Sequence, residues 1–188
     1  MIAIAYEVKR YRELLKEYVA SGFVVIEIGP HIGESTKGYL DNASLAVAVD
    51  KGLQAENALK RLGEKNKNLV FVRGDARSFE TVKKVLQLTG RCDVLAVDLG
   101  GGRFPDTVFK VWAIWSGVFK PRHSVIRNRG LAEFIQRAKL EDESLNREFS
   151  DNGWMSVWGR KAPSKLKEQL DEFSLWTDNI GVDEKENE

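Results

Sequence analysis

The sequence predicts an α/β protein built on a doubly wound, mostly parallel sheet with helices on both faces. Three observations carry that expectation. Five of the six residues from Phe23 to Ile28 are apolar, the pattern of a strand buried on both faces. A glycine-bearing turn, Gly29-Pro30-His31-Ile32-Gly33, follows it at once. Strand-like and helix-like segments then alternate to about residue 140, the mark of repeated βαβ units.

Taken in order, Val8, Tyr11, Leu15 and Val19 recur at helical spacing between Ile4 and Ala20, so residues 1–20 are expected to be an amphipathic helix. The strand at 23–28 leads into a helix expected over 33–41, whose first N–H groups and dipole would face a bound anion. Alternation continues with strand 45–49, helix 53–63, strand 69–73, helix 79–88, strand 93–97, helix 105–116, strand 123–127 and helix 130–140. Ser78 suits a helix cap, Pro105 a first helical turn and Gly117 a helix end. Trp112 and Trp115 share a helical stripe with Val108 and Val111 and read as core.

Beyond Leu140 the pattern weakens. Glu141 to Asn152 is polar, Asn152-Gly153 signals a turn, and Trp154 to Trp158 suits one short strand of a hairpin. A last helix is expected over Lys165 to Trp176, capped by Ser164, and residues 178–188 form an acidic tail expected to be disordered.

At 188 residues the chain suits one domain, placed over residues 1–177. No apolar run approaches the ~20 residues that span a bilayer, and Glu7, Lys9, Arg10 and Arg12 stand where a secretory signal would be apolar, so a cytoplasmic location is expected. The lone cysteine, Cys92, excludes an internal disulfide and a thiolate zinc cluster and reads as a small core residue. The net charge of +1 hides an asymmetry, because the tail holds five acids and one lysine and leaves +5 on the remainder. Between Arg103 and Lys139 eight basic residues face only Asp106 and Glu133. Such a segment can meet phosphates, although a solvated, salt-bridged face is its commoner meaning.

The predicted strand ends carry the chemistry. Right-handed crossovers place them on one edge of the sheet, where open α/β sheets bind ligands. They bear Glu27 and Gly29, then Asp50, Asp75 and Asp98. Asp50 lies twenty-one residues beyond Gly29, near the ~20-residue offset at which an acid meets a ribose in dinucleotide-binding folds. A nicotinamide enzyme, however, would need glycines at 29, 31 and 34, and the chain has Gly29, His31 and Glu34. An NAD-dependent dehydrogenase is therefore disfavoured.

The turn instead resembles motif I of the Rossmann-like, class I S-adenosylmethionine-dependent methyltransferases, E/D-x-G-x-G-x-G, as Glu27-Ile28-Gly29-Pro30-His31-Ile32-Gly33, with three of four marked positions matched. Ala48-Val49-Asp50, Arg73-Gly74-Asp75-Ala76 and Asp93-Val94-Leu95-Ala96-Val97-Asp98 continue the resemblance. It implies a Rossmann-like methyltransferase fold with a cofactor-binding core over 21–140 and a C-terminal extension over 141–177 whose closing hairpin is shortened. It also implies S-adenosyl-L-methionine as cofactor, with Glu27, Gly29 and Gly33 bordering its methionine part, Asp50 on the ribose hydroxyls, and Asp75 with the Ala76 N–H at the adenine. His31 stands where the family has glycine and counts as a further cofactor contact.

On the acceptor side, Asp98 is the candidate base or orienting group, followed by the pliant Gly100-Gly101-Gly102 run. The Asn/Asp-Pro-Pro-Tyr device of amino-group methyltransferases is absent. Arg103, Arg127 and Arg129 are candidate substrate contacts, and with Lys120 and Arg122 they lie in or beside two elements expected to flank the substrate mouth, the opposite edge of the sheet being the alternative place for Lys120 and Arg122. A cation shared by Asp98 and Asn128 would lack a third oxygen ligand, so no metal is assigned. The expected activity is methyl transfer to RNA or another anionic acceptor. A noncatalytic, S-adenosylmethionine-binding or regulatory module is the alternative, raised by His31 and the short C-terminal region.

Overall fold

A computed structural model describes residues 1–141 and 150–155. Its sheet has six strands, β1 (Ile2–Ala5), β2 (Phe23–Ile28), β3 (Ala43–Asp50), β4 (Leu69–Arg73), β5 (Val94–Val97) and β6 (His123–Arg127). They lie in the order β1-β6-β5-β2-β3-β4 and every pairing is parallel. The helices are α1 (Val8–Tyr18), α2 (Leu53–Lys65), α3 (Phe79–Thr89), α4 (Pro105–Phe119) and α5 (Arg129–Arg137). The doubly wound α/β expectation holds.

Strand alternation divides the core in two. Ile26, Ile28, Val47, Val49, Leu95 and Val97 pack under α3 and α4, against Val82, Val85, Trp112 and Trp115. Val25, Ala46, Ala48, Val94 and Ala96 face the other way, against Tyr11 and Leu15 of α1, Leu59 of α2 and the loop residues Tyr39 and Leu40. The small residues on that second face let the helices approach closely. Both tryptophans are core, as expected, and their indole N–H groups are satisfied: Trp112 donates to Ser124 Oγ at 2.9 Å and Trp115 to the Ala76 carbonyl at 2.8 Å. Cys92 is buried and unpaired.

Four expectations are corrected. The chain does not open in a helix, because Ile2–Ala5 forms β1, paired in parallel with β6 from Ile2 opposite Ser124 to Ala5 opposite Arg127. That strand occupies the sheet edge beside β6. The helix over 33–41 is absent; a single 3-10 turn, Thr36–Gly38, stands there. Two glycines and the β-branched Thr36 weaken any helix in that stretch, and burial of Tyr39 and Leu40 pulls the segment down onto the sheet. At the helix ends, Ser78 sits at the cap position without a side-chain cap bond, and α4 runs through Gly117 to Phe119, closed by Lys120 at φ 46°.

Near the start of β6, Gly153 donates its N–H to the Pro121 carbonyl at 3.0 Å, and its own carbonyl accepts the Ser124 hydroxyl at 2.5 Å. A side chain at Gly153 would collide with Pro121 and His123, so the return contact is built for glycine. The expected strand at Trp154–Trp158 falls largely outside the described residues, as do the helix at 165–176 and the tail at 178–188. No helix among the described residues is long and apolar enough to cross a membrane.

Candidate functional site

The C-terminal ends of β2 to β6 open onto one cleft of about 1010 Å³, large enough for a nucleoside-sized ligand. Gly29, His31, Asp50, Asp75, Ala76, Asp98 and Arg127 all line it, so seven of the residues singled out in the sequence converge. Glu27, Gly33, Arg103 and Arg129 do not line it.

The turn after β2 is shaped by glycine. Gly29 has φ +78°, and a Cβ there would lie 2.2 Å from the Asp98 carbonyl oxygen, so the close approach just beyond the paired strands β2 and β5 admits no side chain. Gly33, φ +84°, is held to glycine by its backbone conformation, a Cβ there meeting only the end of the Leu59 side chain of α2 at 2.9 Å. His31 also adopts a left-handed conformation, φ 52°, which glycine tolerates far better. The position that departs from motif I thus adopts a backbone conformation that favours glycine.

Asp50 ends β3 beside that turn. Its carboxylate accepts the Gly52 N–H at 2.8 Å and the His31 N–H at 3.3 Å, which ties the two loops together. Asp75 is held by Arg77, which donates its Nε at 2.9 Å, a terminal nitrogen at 2.6 Å and its backbone N–H at 3.0 Å, with Lys51 at 3.8 Å. Burial pushes the Asp75 carboxyl up, but the bonds from Arg77 outweigh it and keep the group below its usual range.

Asp98 and Arg127 form the cleft's inner ion pair at 3.0 Å, with side chains 14% and 13% exposed. Burial raises the Asp98 carboxyl above its ordinary value, against the opposing pull of Arg127. Arg127 Nε is buried and has no hydrogen-bond partner. Asn128 caps α5 by accepting the Leu131 N–H at 2.9 Å and donates to the Arg103 carbonyl at 2.7 Å, so both ends of its amide are engaged. Among the described residues no group of three or more His, Cys, Asp or Glu side chains is placed to hold a metal ion.

Glu27 lies beneath the cleft. It is buried, accepts the Thr36 hydroxyl at 2.6 Å and the Tyr39 hydroxyl at 2.8 Å, and leaves its Oε1 without a partner. Burial lifts its carboxyl to about 7, which the two hydroxyl bonds only partly oppose. It therefore anchors the 30–39 loop from below.

The basic segment divides. Arg103 and Arg129 are exposed near the Gly100–Gly102 turn, with Arg129 3.4 Å from Glu7. Lys120 and Arg122 belong to the opposite edge of the sheet, the alternative the sequence left open for them: Arg122 pairs with Asp93 at 3.2 Å, and Lys120 stands over Trp154. Sequence reasoning missed further lining residues, among them Arg12 of α1, Lys51, Arg77 and Phe104. Phe104, exposed and at φ 56°, stands just before Pro105, and its ring fills the space a Cβ on Gly100 would need. The overlooked strand at Ile2-Ala3-Ile4-Ala5 was the available signal for Arg12, since a parallel β1 delivers the start of α1 to the ligand edge.

No protein-family model matches the sequence, and no curated protein matches it. Solved structures do. A dimethyladenosine transferase from Plasmodium falciparum superposes with a TM-score of 0.53 at 18% identity, over 76% of this chain and 49% of that one. An rRNA methylase from Streptococcus thermophilus superposes with a TM-score of 0.53 at 11% identity, over 72% of this chain and 81% of that one. The chain spans about half the length of the Plasmodium protein. In its sheet order, with a cleft at the ends of β2 to β6, the chain has the Rossmann-like fold of the class I S-adenosylmethionine-dependent methyltransferases.

Proposed function

We propose that the protein binds S-adenosyl-L-methionine in this cleft and transfers its methyl group to an acceptor entering past Phe104. The observation that carries the reading is the convergence of Gly29, Asp50, Asp75 with Ala76, and Asp98 on one cavity, each at the end of a different strand.

The residues fit the cofactor's chemistry. The missing Cβ at Gly29 lets the Asp98 backbone pack directly against the turn, which brings the ends of β2 and β5 together under the cleft. Asp50, fixed by two N–H groups, presents carboxylate lone pairs to a ribose diol. The Ala76 N–H serves an adenine ring nitrogen, while Asp75 is positioned by Arg77. A bound sulfonium supplies an activated methyl group for in-line displacement, so the protein's part is chiefly alignment.

Asp98 stands at the acceptor end. Its burial favours proton uptake, and its carboxylate receives the proton an acceptor hydroxyl or amine must lose. The unpartnered Arg127 Nε offers a donor beside it. Phe104 supplies an exposed aromatic face at the lip, with the Arg103 guanidinium 6.0 Å from its ring, a combination that suits a planar, anionic acceptor such as RNA. A second reading, cofactor binding without transfer, is favoured by the hold of Arg127 on Asp98.

Calorimetry with S-adenosylmethionine, S-adenosylhomocysteine and NAD in parallel tests the cofactor assignment. Transfer of labelled methyl into RNA, protein or small-molecule extracts then separates the two readings. Binding of NAD alone overturns both; cofactor binding with no label in any extract selects the noncatalytic one.

A further inference from the structure

The cations lining the cleft are not equivalent. Arg127 is paired with Asp98 at 3.0 Å, Arg77 with Asp75 at 2.6 Å, and Lys51 with Asp75 at 3.8 Å. Arg12 alone among them has no acid within ion-pair distance among the described residues. Its one side-chain hydrogen bond among the described residues runs from Nε to Ser35 Oγ, at 3.4 Å. Its two terminal nitrogens are left for something else.

Arg12 is also well placed. Burial of Tyr11, Leu14 and Leu15 fixes α1 against the sheet, so Val8 and Arg12, one turn apart, both border the cleft. The Ser35 contact puts the guanidinium beside the turn that follows Gly29, at the opposite side of the cleft from Asp75 and Ala76. Its charge also acts on the carboxyls of Glu34 and Asp98 at that end.

This end of the cleft lacks a positive element that the fold would ordinarily supply. A helix opening after the glycine turn would offer free N–H groups and a dipole to an anion, but the chain forms only the 3-10 turn Thr36–Gly38 there. A negative group seated at the turn therefore needs another counter-charge. The guanidinium provides one, in a planar fork that matches a carboxylate.

Resting on the cofactor reading above, we propose that Arg12 binds the carboxylate of the methionyl part of the cofactor, replacing the missing helix N-terminus. The N-terminal β1–α1 unit is then part of the binding site as well as an edge of the sheet.

The test compares two ligands that differ at that end. S-adenosylhomocysteine carries the carboxylate; 5′-methylthioadenosine keeps the adenosine and thioether without it. By calorimetry, Arg12→Gln should lose tenfold or more in affinity for S-adenosylhomocysteine and change 5′-methylthioadenosine affinity less than twofold, with Arg12→Lys intermediate for the first ligand. Equal losses for both ligands mean a structural effect and overturn the assignment. Unchanged S-adenosylhomocysteine affinity overturns it too, while leaving the cofactor reading intact. If the unmodified protein binds neither S-adenosylmethionine nor S-adenosylhomocysteine, the cofactor reading fails and takes this assignment with it. Exposed as it is, Arg12 should leave the thermal midpoint unmoved in both variants.

Discussion

The Asp98 carboxylate and the Arg127 guanidinium meet across the ends of β5 and β6, with one Nη 3.2 and 3.0 Å from the two carboxylate oxygens. The pair explains why two residues read separately from the sequence, one as base and one as anion contact, act together. Removing one partner leaves the other charge nearly buried and unpaired. Arg127→Met should therefore destabilise the protein by about 2 to 3 kcal/mol in denaturant unfolding. Asp98→Asn combined with Arg127→Met should lose clearly less than the sum of the two single changes. Strict additivity would show that the contact contributes nothing.

Glu27 makes stability depend on pH. Its carboxyl titrates near 7 in the fold against an ordinary value of 4.5, so between those limits the folded state holds a proton that the unfolded chain has lost. Stability must then fall as pH rises from 4.5 to 7, by about 3 kcal/mol in total, and level off above. Glu27→Gln keeps an acceptor for Thr36 and Tyr39 and removes the charge. It should flatten this part of the profile and leave the variant more stable than the parent at pH 8. A parallel decline in both proteins would assign the effect to other groups.

Gly29 and His31 share a left-handed backbone but differ in what surrounds them. Gly29→Ala adds a Cβ 2.2 Å from a backbone oxygen and should cost at least about 2 kcal/mol. His31→Gly relieves strain of roughly 1–3 kcal/mol, set against the added freedom of glycine in the unfolded chain, roughly 0.5–1 kcal/mol. The unfolding midpoint should rise for His31→Gly and drop for Gly29→Ala; a fall in both would mean that the imidazole contributes packing.

The contrast shows what the sequence could convey. Strands β2 to β6 were legible because continuous apolar runs bounded by acids and glycines have few other uses in a chain this long. The cleft was legible for the same reason, since topology brings strand ends together whatever their side chains do. Partnerships were not legible. Nothing in the spacing of Asp75 and Arg77 says that the arginine folds back on the aspartate, nor that Arg127 turns inward to Asp98 while Arg129 turns out to Glu7. The helix expected at 33–41 failed because a buried Glu27, lying upstream, holds Thr36 and Tyr39 in a loop. That tertiary contact adds to the weak helix propensity of a stretch with two glycines and Thr36. Ile2–Ala5 was absorbed into the helix pattern because four residues are too few to declare a period.

Asp50 gives the cofactor site its most direct measurement. A charged hydrogen bond lost from a ribose diol should cost ~1.5–3 kcal/mol, so Asp50→Ala should weaken S-adenosylmethionine binding by at least tenfold in calorimetry. Because the same carboxylate holds the Gly52 and His31 N–H groups, Asp50→Asn is the companion variant: it retains an acceptor oxygen for the loops while losing the charge. Affinity within twofold of the parent in both variants would remove Asp50 from the site.

An anionic acceptor should register on the arginines that remain exposed. Arg127 is committed to Asp98, and Lys120 and Arg122 lie at the far edge, which leaves Arg103 and Arg129 beside the Gly100–Gly102 turn. Each phosphate neutralised on a single strand releases counterion and steepens the salt dependence of binding by about 0.7 log-log units. Replacing Arg103 and Arg129 together with Gln should weaken binding of a single-stranded RNA homopolymer at low salt and flatten its slope by about 1.4 units. The weak, exposed contact of Arg129 with Glu7, at 3.4 Å, offers little resistance to this recruitment. Phe104→Ala should weaken the same binding through lost stacking and leave the slope alone, because a ring neutralises no phosphate. An unchanged slope in the double arginine variant would point instead to an uncharged or small-molecule acceptor.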